Sequence, residues 1–234
     1  MTVFFTADTH LGHKNIITST NRPFKSVAEM DSAIVKRWNE RATRHDLVYH
    51  LGDFAFDDHD PYLELLNGQK HLILGNHDHS DRVKKATRWQ GIRELKEIKV
   101  GETKIVLCHY ALRTWNGSHR GALQLYGHSH GGLAGDSQSL DVGVDCWDFR
   151  PVTLDEIKQR LATMPKRVEL DHHRPSERST ARWTSDQPAG LYVLGQSRDA
   201  VDHDDVGGGR GVTEVTKTGG CSEWCQTSAR CQPP

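Results

Sequence analysis

The sequence predicts an α/β fold built on mixed β-sheet. Three observations lead there. Short apolar runs recur, each stopping at a polar or glycine-rich cluster; a long stretch of helical periodicity separates the first two; and after Asn76 the pattern changes to two strand-like segments joined by a tight turn. Strands alternating with helices indicate parallel pairing with helices packed on the sheet, and the tight turn adds antiparallel pairing.

The apolar runs are Val3-Phe4-Phe5, Leu47-Val48-Tyr49, His71-Leu72-Ile73-Leu74, Lys104-Ile105-Val106-Leu107 and Leu123-Gln124-Leu125-Tyr126. Runs this short and this apolar read as buried strands. From Ser26 to Arg44 the spacing predicts a helix, since Val27, Met30, Ile34, Val35 and Trp38 recur along one face. Ser26 is placed to cap it, with Glu29 three residues on as in a capping box. A shorter helix is predicted over Pro61 to Leu66, where Pro61 suits a first turn and Asn67-Gly68 supplies a stop. Glu94 to Val100 and Thr103 to Leu107 flank Gly101-Glu102 and predict an antiparallel pair.

From about Pro165 the chain turns polar and irregular, with a Gly207-Gly208-Gly209 run and a Gly219-Gly220 pair. Little there can bury a core. The apolar island Gly190-Leu191-Tyr192-Val193-Leu194 is too short to found a second domain. The expected organisation is one domain over 1–165 and a largely disordered polar tail over 166–234.

Composition narrows the partners. Among 234 residues, 30 Lys and Arg nearly balance 31 Asp and Glu, so a formal charge of −1 demands neither nucleic acid nor an anionic membrane. No segment approaches the ~20 apolar residues that cross a bilayer, and the N-terminus lacks a basic stretch followed by an apolar run. The 5 cysteines form no clean disulfide framework: Cys221, Cys225 and Cys231 crowd the end in a spacing that fits no common zinc finger and read as free thiols, and Cys108 reads as a buried thiol. A soluble, cytoplasmic protein is expected. The 15 histidines are the one oddity, because imidazole is the commonest transition-metal ligand.

Position shows which histidines matter. Each apolar run leads into residues of ligand type: Asp8-Thr9-His10, Gly52-Asp53, Gly75-Asn76-His77-Asp78, His109, and Gly127-His128-Ser129-His130. Loops directly after buried strands give ligands a rigid base and an open face. On extended backbone, residues two apart point the same way, so Asp8 with His10 and His128 with His130 can each grip one ion. One such pair would mean little; repetition after every strand makes a metal site the better explanation.

In order, Asp8-Thr9-His10-Leu11-Gly12-His13, Gly52-Asp53, Gly75-Asn76-His77-Asp78, His109 and Gly127-His128-Ser129-His130 resemble the motif set of the calcineurin-like metallophosphoesterases. The resemblance covers roughly residues 1–155 and is nearest to the small single-domain bacterial and phage members. It implies a four-layer αββα sandwich with two divalent ions at one edge. It further implies that Asp8, His10 and His130 hold the first ion, that Asn76, His109 and His128 hold the second, and that Asp53 bridges them. Carboxylate, amide oxygen and imidazole together suit Mn²⁺ first, with Fe, Ni²⁺, Co²⁺ or Zn²⁺ as alternatives. The implied reaction is hydrolysis of a phosphodiester or phosphomonoester by a hydroxide shared between the ions. In this family the counterpart of His77 protonates the leaving oxygen, and Asp78 is placed to orient it.

Around these motifs, Arg113 is read either as a phosphate clamp or as a solvated side chain, and Trp115 either as a surface for a flat group or as half-buried packing. Arg22, on the loop before the long helix, is either a substrate-facing rim residue or a surface ion-pair partner. His13 and His50 are either partners of ligands or structural histidines. Small phosphorylated or nucleotide-type substrates are expected, with a DNA or RNA nuclease and a non-catalytic metal-binding scaffold as the competing readings.

Overall fold

The computed structural model describes residues 1–78, 83 and 85–168. The chain divides into two units, Met1–Ser176 and Glu177–Pro234, and the second lies wholly outside the described residues, together with nearly all of the expected tail and its three cysteines. Near the end of the described residues, Arg167 pairs with Asp136 at 2.9 Å and its guanidinium lies 4.1 Å over the Trp115 ring.

The elements run β1 (Val3–Thr6), α1 (Lys14–Ser19), α2 (Val27–Arg41), β2 (Leu47–His50), α3 (His59–Leu65), β3 (Gln69–Ile73), β4 (Gly91–Arg93), β5 (Leu95–Val100), β6 (Thr103–Cys108), β7 (Leu123–Tyr126), β8 (Ser139–Asp141), β9 (Val152–Thr153) and α4 (Leu154–Leu161). Two sheets form, in the orders β4-β3-β2-β1-β9 and β5-β6-β7-β8. Within the first, β1 to β4 pair in parallel and β9 antiparallel to β1; within the second, only the β5–β6 pair is antiparallel. The mixed α/β character is therefore as expected. No helix among the described residues is long and apolar enough to cross a membrane.

Strand periodicity sorts the core into layers. Phe4, Val48 and Leu72 turn toward α2, where Met30, Ile34 and Trp38 are fully buried against them. Their neighbours Phe5, Tyr49 and Ile73 turn the other way, meeting Ile105, Leu107 and Leu125 of the second sheet. The sequence shows this as unbroken apolar runs because both faces of β1 to β3 are covered. α4 packs on β1, β8 and β9 and so closes the edge where both sheets end.

Among the described residues the outer face of the second sheet carries no α-helix; Val106 instead packs under Leu112, Trp115 and Ala122 of the β6–β7 connection, which holds one 3₁₀ turn at Ser118–Arg120. The caps differ from expectation. Ser26 Oγ accepts from Glu29 N as predicted, but Glu29 Oε2 accepts from Lys25 N at 2.8 Å, so the box does not close at Ser26. A complete capping box stands at Thr153 and Glu156, which open α4.

Candidate metal centre

All five ligand-bearing loops sit at one end of the two sheets, because β1, β2, β3, β6 and β7 run parallel within their sheets and each delivers its loop at its C-terminal end. These loops are backbone-strained. Asp8, His10, Asp53, His128 and His130 all adopt left-handed φ between 46° and 67°, a region costly for residues with a Cβ. Strain of this kind persists only where the surroundings over-determine the conformation, and here it falls on five of the seven expected ligands.

Two clusters of donor atoms result, Asp8 with His10 and His130, and Asp53 with His109 and His128, each with its ligand atoms within 4.8 Å of one another. Asn76 joins the second cluster, its Oδ1 lying 3.0 Å from His109 Nε2 and 2.9 Å from His128 Nδ1. Asp53 joins the clusters to each other: its Oδ2 is 3.5 Å from His10 Nε2 and 3.6 Å from His109 Nε2.

The donor set fits cations. His109 Nδ1 lies 2.7 Å from the Leu51 carbonyl, which can only accept, so Nδ1 carries a proton and Nε2 is the atom turned toward Asn76 Oδ1. Ring nitrogen and amide oxygen, 3.0 Å apart, are both of a type that can ligate a cation placed beside them. His10 Nε2 is buried with no hydrogen-bond partner among the described residues, and burial, helped by the Arg22 charge, drives its pKa down to about 2. It is thus a bare lone pair. Asp8 shows the complementary signature, its pKa raised well above the carboxylate range by burial and then by the charges of Asp141 and Asp53. Carboxylate with imidazole suits borderline divalent ions.

Supporting residues fix this geometry. Both Asp8 oxygens accept from His128 N, at 3.0 and 2.9 Å, which locks the first loop to the last. Gly127 and Gly143 are needed there, since a Cβ on either would stand 2.5 or 2.7 Å from Asp8 Oδ2. Asp141 accepts from Ser129 Oγ, Gly131 N and Gly143 N and so shapes the loop carrying His128 and His130.

Several expectations are corrected. Asp78 does not orient His77: its carboxylate accepts from the backbone of Asp53, Phe54 and Gly75 at 2.8–3.0 Å, tying the second and third loops together. Trp115 offers no surface to a ligand, because it is buried, its Nε1 donates to Ala122 O and Arg167 covers its ring. Arg22 is neither on the rim nor at the surface. Its side chain is fully buried, forks onto Asp145 at 2.8 Å through Nε and Nη2, and donates to the carbonyls of Asp8 and Thr9. Arg113 is exposed and its carbonyl accepts from Arg167.

His77 is exposed, its ring 5.2 Å from that of His10 and 6.0 Å from that of His13, while its N–H donates to Asp53 Oδ1 at 2.8 Å. His13 stacks on Phe56 at 4.8 Å beside the site, and burial lowers its pKa, with the His77 charge adding. His50 is structural: Thr9 Oγ1 donates to Phe54 O and accepts from His50 Nε2 at 2.9 Å. Tyr110, exposed, sets its ring edge-on against His128 at 4.8 Å.

Asp145 and Asp141 escaped the sequence reading. Asp145 Oδ2 accepts from His130 Nδ1 at 2.7 Å, and the hydrogen bonds and charges of His130 and Arg22 outweigh burial to hold its pKa low. The signal was present: Leu140-Asp141-Val142-Gly143-Val144-Asp145 is one more apolar run ending in a glycine and acids, like the five loops before it.

A model of the calcineurin-like phosphoesterase superfamily domain matches residues 1–142. An uncharacterized protein of Methanocaldococcus jannaschii is 30% identical over 167 residues, covering 66% of this chain and 88% of its own length. The Gene 66 protein of Mycobacterium phage L5 is 25% identical over 190 residues, covering 66% and 91%. Among solved structures, a protein of unknown function from Aquifex aeolicus superimposes with a TM-score of 0.55 at 24% identity, covering 68% of this chain and 98% of that one; it shares the fold.

Proposed function

Because the chain belongs to the calcineurin-like phosphoesterase superfamily, we propose that it hydrolyses phosphodiesters or phosphomonoesters using two divalent cations, Mn²⁺ foremost, held by Asp8, His10, Asp53, Asn76, His109, His128 and His130. The observation carrying this reading is the Asp53 Oδ2 atom, 3.5 Å from His10 Nε2 and 3.6 Å from His109 Nε2, which joins the two donor clusters through one oxygen.

Two cations in such a site supply positive charge for the phosphoryl oxygens and make a water acidic enough to serve as nucleophile near neutral pH. The chain's own residues do the rest. Leu51 O fixes the proton of His109 on Nδ1, and Asp145 fixes that of His130 on Nδ1, so both rings offer Nε2. Asp53 is held by His77 N on Oδ1, which leaves Oδ2 for the shared position. His77, anchored to Asp53 only through its backbone, keeps its exposed ring free to donate a proton to the departing oxygen. Asp78 acts beneath it, pinning Gly75 and Asp53.

The substrates proposed are small phosphorylated or nucleotide-type esters, because a formal charge of −1 supplies no electrostatic footprint for a long polyanion. The test is turnover of an aryl phosphodiester and the matching monoester with added Mn²⁺, comparing the parent with Asp53→Ala and His77→Ala. Hydrolysis by the parent, its loss in Asp53→Ala and a smaller decrease in His77→Ala, whose proton an aryl leaving group needs least, is the expected result. No turnover of any ester across a panel of divalent metals would mark the fold as a metal-binding scaffold, and a preference for single-stranded DNA over every small ester would favour the nuclease reading.

A further inference from the structure

Arg22, Asp145 and His130 form a continuous hydrogen-bonded chain, fully buried at Arg22 and half-buried at Asp145 and His130, in which only His130 belongs to the ligand set. Arg22 reaches Asp145 with two bonds of 2.8 Å, and Asp145 passes one of the same oxygens to His130 Nδ1 at 2.7 Å. The other face of the guanidinium donates from Nη2 to Asp8 O at 2.6 Å and from Nη1 to Thr9 O at 3.0 Å. One side chain therefore holds both strained ends of a single cluster, the Asp8–His10 loop at one side and His130 at the other. Asn76, His109 and His128 receive no bond from it.

We propose that Arg22 and Asp145 are positioning residues that build one of the two cation sites selectively, the one formed by Asp8, His10 and His130, and leave the other to assemble without them. Asp145 makes His130 a better donor by accepting its Nδ1 proton, and Arg22 keeps Asp145 ionised in a place where a lone carboxylate would be costly. Arg22 also sets the left-handed turn at Asp8 by pulling two successive carbonyls to one cation. Lysine cannot replace it, because a point charge has no planar fork to serve a carboxylate and two carbonyls together.

This rests on the two-cation reading, and calorimetric titration of the metal-free full chain with Mn²⁺ alone separates the two. The parent should bind two ions. In Asp145→Asn, which keeps side-chain size, the affinity of one ion should fall about 10–100-fold while the other stays at the parent value. The weakened ion should be the one that His10→Ala also weakens and His128→Ala spares. Arg22→Lys should weaken the same ion and Asp145→Glu should partly restore it, with circular dichroism confirming the fold of each. A parent that binds no Mn²⁺ would end the two-cation reading itself. A parent that binds two ions, with folded Asp145→Asn and Arg22→Lys that bind both as tightly or lose both equally, would overturn this proposal alone. Failure of both variants to fold would overturn it as well, by making the pair a requirement of the fold.

Discussion

Asp53 and Asp78 are joined backbone to carboxylate: Asp78 Oδ2 accepts the Asp53 N–H at 2.8 Å, while the Asp53 side chain faces the histidines. The left-handed turn at Asp53, φ 58°, is thus held from below by one carboxylate so that the other points into the site. The same carboxylate of Asp78 holds Phe54 N and Gly75 N, so two ligand loops move as one body.

That separation of tasks gives different outcomes for His77 and Asp78. His77→Ala should lower kcat by about 10²–10⁴-fold toward esters with poor, alkoxide-like leaving groups, and much less toward a nitrophenyl ester whose departing oxygen needs no proton. KM should change little. An equal loss for both ester types in steady-state assays would remove His77 from the proton-donor role.

Asp78→Asn should act through geometry. An amide keeps one acceptor oxygen for the three N–H groups now held by two, so the loops of Asp53 and Gly75 lose their common anchor. Mn²⁺ affinity should fall about 10–100-fold, and the dependence on leaving group should remain that of the parent. A flattened leaving-group dependence would instead return Asp78 to a role through His77.

Gly127→Ala tests how tightly the Asp8 carboxylate is enclosed. The added Cβ would meet Asp8 Oδ2 at 2.5 Å and Ala7 Cβ at 2.6 Å, and the latter atom is fixed to the backbone just beyond β1, where Ala7 bridges to Gly143, and cannot swing away. Weakened Mn²⁺ binding at the Asp8 site is expected, together with a lower Tm. Parent-like values for both would mean that the loop yields more easily than its hydrogen bonds to Asp8 imply.

Acid should unfold the metal-free protein partly through His50. Burial holds its pKa well below the ordinary 6.5, with the charges of His59 and His109 adding, so the folded state keeps it neutral while the unfolded chain takes up a proton below 6.5. Its contribution is therefore present above pH 6.5 and is lost as pH falls further, at up to ~1.4 kcal/mol per pH unit. Urea titrations between pH 7.5 and 5 should show a shallower decline in His50→Gln than in the parent. Parallel curves would show that His50 does not carry the dependence.

Much of this architecture could be read from the chain because β1 to β3 are covered on both faces and so appear as plain apolar runs, each ending in its ligands. The long helix announced itself through Met30, Ile34 and Trp38, the residues it buries. What escaped was short or non-local. β8, β9 and α1 are too brief to show a period. The partner of Arg22 lies 123 positions away at Asp145, so no local pattern distinguishes that buried fork from a surface pair. Asp78 was misread, and of the two readings of Trp115 the packing one holds, for a related reason: proximity to a ligand along the chain is not proximity to its open face.

Electron paramagnetic resonance of the Mn²⁺-loaded protein, with metal content measured on the same sample, tests the central claim most directly. Two Mn²⁺ per chain joined through Asp53 should give an exchange-coupled signal, as expected for ions ~3.5–4 Å apart. In Asp53→Asn that signal should collapse to isolated Mn²⁺ or vanish. A single ion per chain in the parent, or two that remain uncoupled, would contradict the two-cation centre.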